Sequence, residues 1–311
     1  MTTIRFAIGS FLFIALFASG SMAQVQRTFV SGLGSDGNPC SRIAPCRTFG
    51  QALLGTSAGG EVIVLDSAGY GPVAITQPVS IIAPPGVYAG ISVFSGDGID
   101  ISAGASDTVV LRGLALNNQG SSGSGIAFNT GATLHVENCV VSGFSTSESA
   151  GLFFGGPGTL EVKDSTFRGN FFGINVQPSS GTALAAIDSV RLESNINIAL
   201  LARDGSKVTL SNSVASDNLA VGLIAQSRTA ASAELSIESC VATNHGGAGV
   251  AAQSLSTGVA TVRISNSVVT DNGAGLNNAG SPAVLVSRGN NTVEGNNGLD
   301  TIGTIGSYSA K

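Results

Sequence analysis

A chain of 311 residues with only 11% charged residues, 43 glycines and no tryptophan is too poor in charge and too rich in glycine for a helical bundle. Lys and Arg number 14 and Asp and Glu 19, and the resulting net charge of −5 gives no electrostatic basis for nucleic acid or an anionic membrane as partner. With 4 cysteines and 2 histidines, His135 and His245 lying far along the chain from Cys40 and Cys46, neither a metal centre nor a cofactor is expected.

Residues 1–23 read as a secretory signal. Arg5 precedes an apolar run from Phe6 to Ala18, and Ser21-Met22-Ala23 offers small residues at the two positions that matter for cleavage. The run falls short of the ~20 apolar residues that span a bilayer, and no later run is longer. Cleavage after Ala23 would leave Gln24 to Lys311, a product expected in the periplasm or outside the cell and not inserted in a membrane.

Residues 24–60 read as an N-terminal cap with one short helix. Thr48 followed by Gln51 has capping-box spacing, Phe49, Ala52 and Leu53 share one helical face, and Gly55 follows as a stop. A stack of strands has an open end that invites pairing with other chains, and an amphipathic helix laid across it removes that hazard. Residues 61–311 then form the body, with Ile302, Ile305 and Tyr308 as covering residues for its far end.

The body is a repeat. Small residues recur as anchors at Gly113, Asn138, Asp164, Ser189, Asn212, Ser239, Asn266 and Asn290, at spacings of 25, 26, 25, 23, 27, 27 and 24. Three positions after each anchor stands Leu116, Val141, Phe167, Leu192, Ala215, Ala242, Val269 or Val293, a column that should face the core. Five or six positions after it an Asn recurs (Asn118, Asn170, Asn195, Asn218, Asn244, Asn272 and Asn296), suited to a tight bend and to turn-to-turn hydrogen bonding. Gly-apolar pairs such as Gly173-Ile174 and Gly249-Val250 open the next strand. A period of this length, holding about three short strands separated by bends, specifies an all-β solenoid in which each turn pairs only with the turns above and below.

Gly34-Ser35-Asp36-Gly37-Asn38-Pro39-Cys40, Ala44-Pro45-Cys46-Arg47-Thr48-Phe49, Gly60-Glu61-Val62-Ile63-Val64 and Gly69-Tyr70 resemble, in order, the opening of pectin-lyase-like proteins. The resemblance implies a single-stranded right-handed parallel β-helix. It implies less about activity, because that family spans lyases, hydrolases, esterases, epimerases, adhesins and members of no assigned activity. Of its catalytic signatures this chain carries only fragments, Asn244-His245-Gly246 and Arg263-Ile264-Ser265, and no adjacent Asp-Asp pair. The expected function is an exported β-helix that binds an extended polysaccharide or serves as a surface component. The alternative is a polysaccharide lyase, glycoside hydrolase or uronate epimerase acting on a linear glycan.

Cys139 and Cys240 each follow an anchor directly, four turns apart, which at about 4.8 Å per turn puts them roughly 19 Å apart and beyond bridging. Cys40 and Cys46 remain as the expected disulfide in an exported cap. Arg112, Glu137, Lys163 and Asp188 share an outward column of alternating sign and are expected to form a ladder of ion pairs, as are Arg168 and Glu193. Asp217, His245 and Asp271 fall five, six and five positions after their anchors in three successive turns. A histidine between two carboxylates would have its pKa raised and could serve as general acid or base, so these three are the candidate catalytic residues.

Overall fold

The computed structural model describes residues 24–309, and the expected signal at 1–23 lies outside them. Among the described residues the chain winds through three parallel sheets, one of 12 strands and two of 10, each sheet receiving one strand from every turn. A typical turn runs Ala183–Asp188 in the first sheet, Arg191–Glu193 in the second and Ile198–Arg203 in the third.

Alternation drives the packing. In Ala183–Asp188 the side chains of Ala183, Ala185 and Ile187 are buried while Leu184 and Ala186 face out, and the same pattern recurs in Ser206–Ser211 and Ala233–Glu238. The inward positions of all three sheets make one continuous core along the coil. Phe128 and Phe154, in adjacent turns, stack within it with ring centroids 4.2 Å apart. The column of Leu116, Val141, Phe167, Leu192, Ala215, Ala242 and Val269 is buried as expected, and Val293, in the last turns, is only partly so.

Two columns of left-handed backbone make the corners. The anchors form the first, with φ between 49° and 74° from Gly113 to Asn266. Gly143, Gly169, Ser194, Asp217, Asn244, Asp271 and Gly295, five positions after their anchors, form the second, with φ between 53° and 83°. Positive φ favours Gly and short polar side chains that bond locally, which is why the anchors read Gly, Asn, Asp and Ser.

The coil begins earlier than residue 61. Strand β1 (Val25–Val30) pairs in parallel with β2 (Thr56–Val64) and is the first strand of the 12-stranded sheet, so only the chain between them serves as cap. Helix α1 (Phe49–Leu54) buries Phe49, Ala52 and Leu53, and Thr48 Oγ1 accepts from Gln51 N–H at 3.2 Å. Asp36 holds that N-terminus by accepting from the amides of Arg47 and Thr48, both at 2.9 Å. Cys40 and Cys46 are joined by a disulfide, and their carbonyls accept from Phe29 N–H and Ser31 N–H along the outer edge of β1. At the far end Ile302 is 37% exposed and Ile305 and Tyr308 are only partly buried, so these residues end the stack without covering it.

Candidate functional site

The structure separates the three candidate catalytic residues. Asp217 and Asp271 stand in the second left-handed column on the outside of the bend, and the residue between them is Asn244, whose Nδ2 donates to Asp217 Oδ1. His245 lies one position further along and points inward, 2% exposed. The two sets of residues differ by one position from their anchors, and at a tight bend one position reverses the side chain's direction.

His245 belongs instead to a buried ladder. Phe144 N–H donates to Asn170 Oδ1, Asn170 N–H to Asn195 Oδ1, Asn195 N–H to Asn218 Oδ1, Asn218 N–H to His245 Nδ1 and His245 N–H to Asn272 Oδ1, all within 2.9–3.2 Å. Asn118 and Asn244 fall one residue short of this column and do not join it. Because Nδ1 accepts, the neutral ring carries its proton on Nε2, which is buried without a partner. Burial pushes the His245 pKa down to about 4, the opposite of the shift expected from flanking carboxylates. The ring packs over Gly222, where a Cβ would lie 2.4 Å from Nε2. The arrangement supplies a structural bond, and a polymer outside the coil has no access to it.

The outer face of the first sheet gathers more exposed chemistry. Three outward columns run along it in register: Thr159, Leu184, Lys207 and Glu234; Glu161, Ala186, Thr209, Ser236 and Arg263; and Glu137, Lys163, Asp188 and Ser211. The small side chain of Ala186 lowers the middle of this face into two adjoining depressions of about 310 and 200 Å³, which share Ala186 and Thr209. Glu234 stands between Arg263 Nη1 at 3.0 Å and Lys207 Nζ at 3.5 Å, and the Arg263 hydrogen bond leads in holding its pKa below the ordinary value. Asp188 Oδ1 accepts from Ser211 Oγ and Asn212 Nδ2, both at 2.7 Å, and these bonds keep its carboxyl ionised to lower pH as well. His135 Nδ1 lies 3.0 Å from Glu161 Oε2 at one end.

Of the expected ion ladder only Arg112 and Glu137 pair, at 2.8 Å. Asp188 turns to hydroxyl and amide donors, and Lys163 has no ion pair among the described residues. Glu193 pairs with Arg191 of its own strand and leaves Arg168. Neither Lys207 nor Glu234 is among the candidates read from the sequence, and Arg263 enters there only within the fragment Arg263-Ile264-Ser265. They stand five or three positions before their anchors, so the same periodicity that exposed the column at one position before the anchor also placed them.

The model of the right handed beta helix region matches residues 124–298, more than half of the chain. This chain belongs to that right-handed β-helix family. Among solved structures the pectate lyase Pel9A superposes on 91% of this chain and 80% of its own, with a TM-score of 0.65 at 15% identity. An alginate lyase from Paenibacillus sp. str. FPU-7 covers 91% of this chain and 100% of its own, with a TM-score of 0.49 at 15% identity. The GH136 lacto-N-biosidase from Eubacterium ramulus covers 92% and 68%, with a TM-score of 0.46 at 8% identity. No curated protein matches the sequence.

Proposed function

We propose that the chain is an exported, non-catalytic β-helix that binds an extended polysaccharide along the outer face of its first sheet. The observation that carries this reading is the pair of adjoining depressions over Ala186, lined in register by Lys163, Lys207, Thr209, Ser236, Asp188 and Glu234. Donors and acceptors repeat there every turn, at about 4.8 Å, and suit a hydroxyl-rich linear ligand lying along the coil. Leu184, 49% exposed at the edge, offers apolar contact to the C–H face of a sugar ring. A structural relative of this fold is named for its action on pectate, which favours the same ligand class.

Binding is favoured over glycoside hydrolysis at this face because Asp188 and Glu234 are each held ionised by donors. Glycoside hydrolysis needs one carboxyl kept protonated, and both of these are shifted the other way. Export is supported by the sequence of residues 1–23 and by the Cys40–Cys46 bridge, which persists in an oxidising compartment.

A glycan array followed by affinity electrophoresis in the retained polysaccharide tests the reading. Wild type should be retarded, and Ala186→Arg, which fills the shared floor, should migrate as in a gel without polysaccharide. Retardation unchanged by Ala186→Arg and by Lys207→Ala would place any binding elsewhere, and absence of binding across the array would end the proposal.

A further inference from the structure

The outer face of the third sheet carries a second, smaller core. In Ile198–Arg203 the side chains of Leu200 and Ala202 join the main core, whereas Leu201 joins a separate cluster with Phe172, Ile198, Ile224 and Ala251. Alternation puts Arg203 on the same outer face as Leu201. It is 6% exposed there.

A buried guanidinium ordinarily has a carboxylate beside it, because an uncompensated buried charge is costly. Arg203 has none. Its Nε donates to Gln226 Oε1 at 3.1 Å and its Nη1 to Gln177 Oε1 at 2.9 Å, both neutral amides, and among the described residues no group accepts from Nη2. Asp204, next in the chain, turns its carboxylate to the amides of Arg228 and Thr229 and to Thr229 Oγ1. Gln226 is itself fixed, donating to Gln253 Oε1 at 2.6 Å, so the amide row holds the guanidinium in one orientation. Burial, and then the nearby charge of Arg228, lower the pKa of Arg203, and the charges of Glu148 and Asp204 offset them only in part.

A second polar group on this face lacks a partner. Asn175 pairs in register with Leu201 and is therefore the diagonal neighbour of Arg203 on the outer face. It is 2% exposed, and its Oδ1 is buried with no hydrogen-bond donor. The two groups ask for complementary things: the free edge of Arg203 for an oxyanion, and Asn175 Oδ1 for a hydroxyl.

We propose that Arg203 and Asn175 form a binding site for an oxyanion carried on a hydroxylated ligand, an acidic sugar bearing a carboxylate or a sulfate ester. Gln177 and Gln226 orient the guanidinium, and the cluster of Phe172, Leu201 and Ile224 excludes water from one side of the charge. The site lies on a different sheet from the face over Ala186 and does not depend on the reading of that face.

Titration calorimetry of the folded protein with glucuronate, glucose 6-sulfate and inorganic sulfate tests the site. At least one of the two sugar acids should bind, more tightly than inorganic sulfate, and the tighter of the two names the oxyanion. Gln177→Glu supplies the missing counter-ion without changing side-chain shape, and should weaken binding at least tenfold while raising the thermal midpoint of the ligand-free protein. Arg203→Lys, which keeps the charge and loses the fork, should also weaken it. Absence of binding by wild type, or affinity unchanged in Gln177→Glu, overturns the proposal. Inorganic sulfate binding as tightly as the sugar acids would remove Asn175 from the site.

Discussion

At the scale of single residues, the outcome at His245 shows how one position decides between chemistry and architecture. Its pKa of about 4 in the fold lies below the ordinary 6.5, so the unfolded chain binds the proton more readily between those values. Well above pH 6.5 the ring is neutral in both states and adds no pH dependence, and the fold loses stability as pH falls through 6.5 towards 4. The loss amounts to about 3 kcal/mol if the full shift is realised. His245→Asn restores the residue found at Asn170, Asn195, Asn218 and Asn272, so it should abolish this component in urea titrations at successive pH values. An unchanged pH dependence in that variant would mean that the ring titrates normally. Phe167 gives the complementary test. It is fully buried, beside Val141 and Leu192 in adjacent turns, and Phe167→Ala should cost about 3 to 5 kcal/mol through the cavity it leaves. Lys163→Ala, outward in the same turn, should cost under about 1 kcal/mol. Equal costs would reverse the assignment of the two faces.

At the scale of elements, the stacked columns behave as units. Ser165, Ser213 and Ser267, each directly after an anchor, accept from the backbone N–H of the turn before, at Cys139, Val190 and Cys240. Cys139 and Cys240 occupy the same column, and their thiols point to the carbonyls of Glu137 and Glu238 at 3.3 and 3.2 Å, as the serine hydroxyls point to Lys163, Ser211 and Ser265. Burial pushes both thiol pKa values up to about 11, which makes the thiolate scarce at neutral pH. Ellman's reagent should therefore find no thiol in the native protein and two after unfolding, and the double variant Cys139→Ser/Cys240→Ser should fold with little change in stability. Rapid native labelling would show that the column opens. These columns also mark how far the sequence could be read. Period, core column, corner residues and helix cap were legible because each is set by local backbone geometry and repeats at nearly constant spacing. The direction of Asn244 against His245 was not, because a left-handed residue reverses the chain over one position and the two turns differ by one residue in where the Asn falls. Nor was Arg203 legible as a buried cation, since the bends before the third sheet vary in length and take its strands out of phase with the anchors.

At the scale of the molecule, a solenoid whose turns touch only their neighbours has no single cooperative core, and its two ends are held differently. At the N-terminal end α1 and the bridged loop Cys40 to Cys46 cover β1, the loop accepting hydrogen bonds from its outer edge. At the other end Ile305–Ser307 closes the first sheet with Ile302 still exposed. The disulfide closes a loop with a sequence separation of 6, small enough that its entropic contribution is only about 2 kcal/mol. That energy is spent at one end, on the chain that lies over β1. Replacing both cysteines with serine should therefore speed hydrogen exchange in Val25–Val30 and Thr56–Val64 while leaving the amides of Ile198–Arg203 and Leu223–Ser227 as protected as before. Exchange that accelerates equally in all four segments would mean that the coil opens as one unit, and the nearest-neighbour account of its stability would fall with that result.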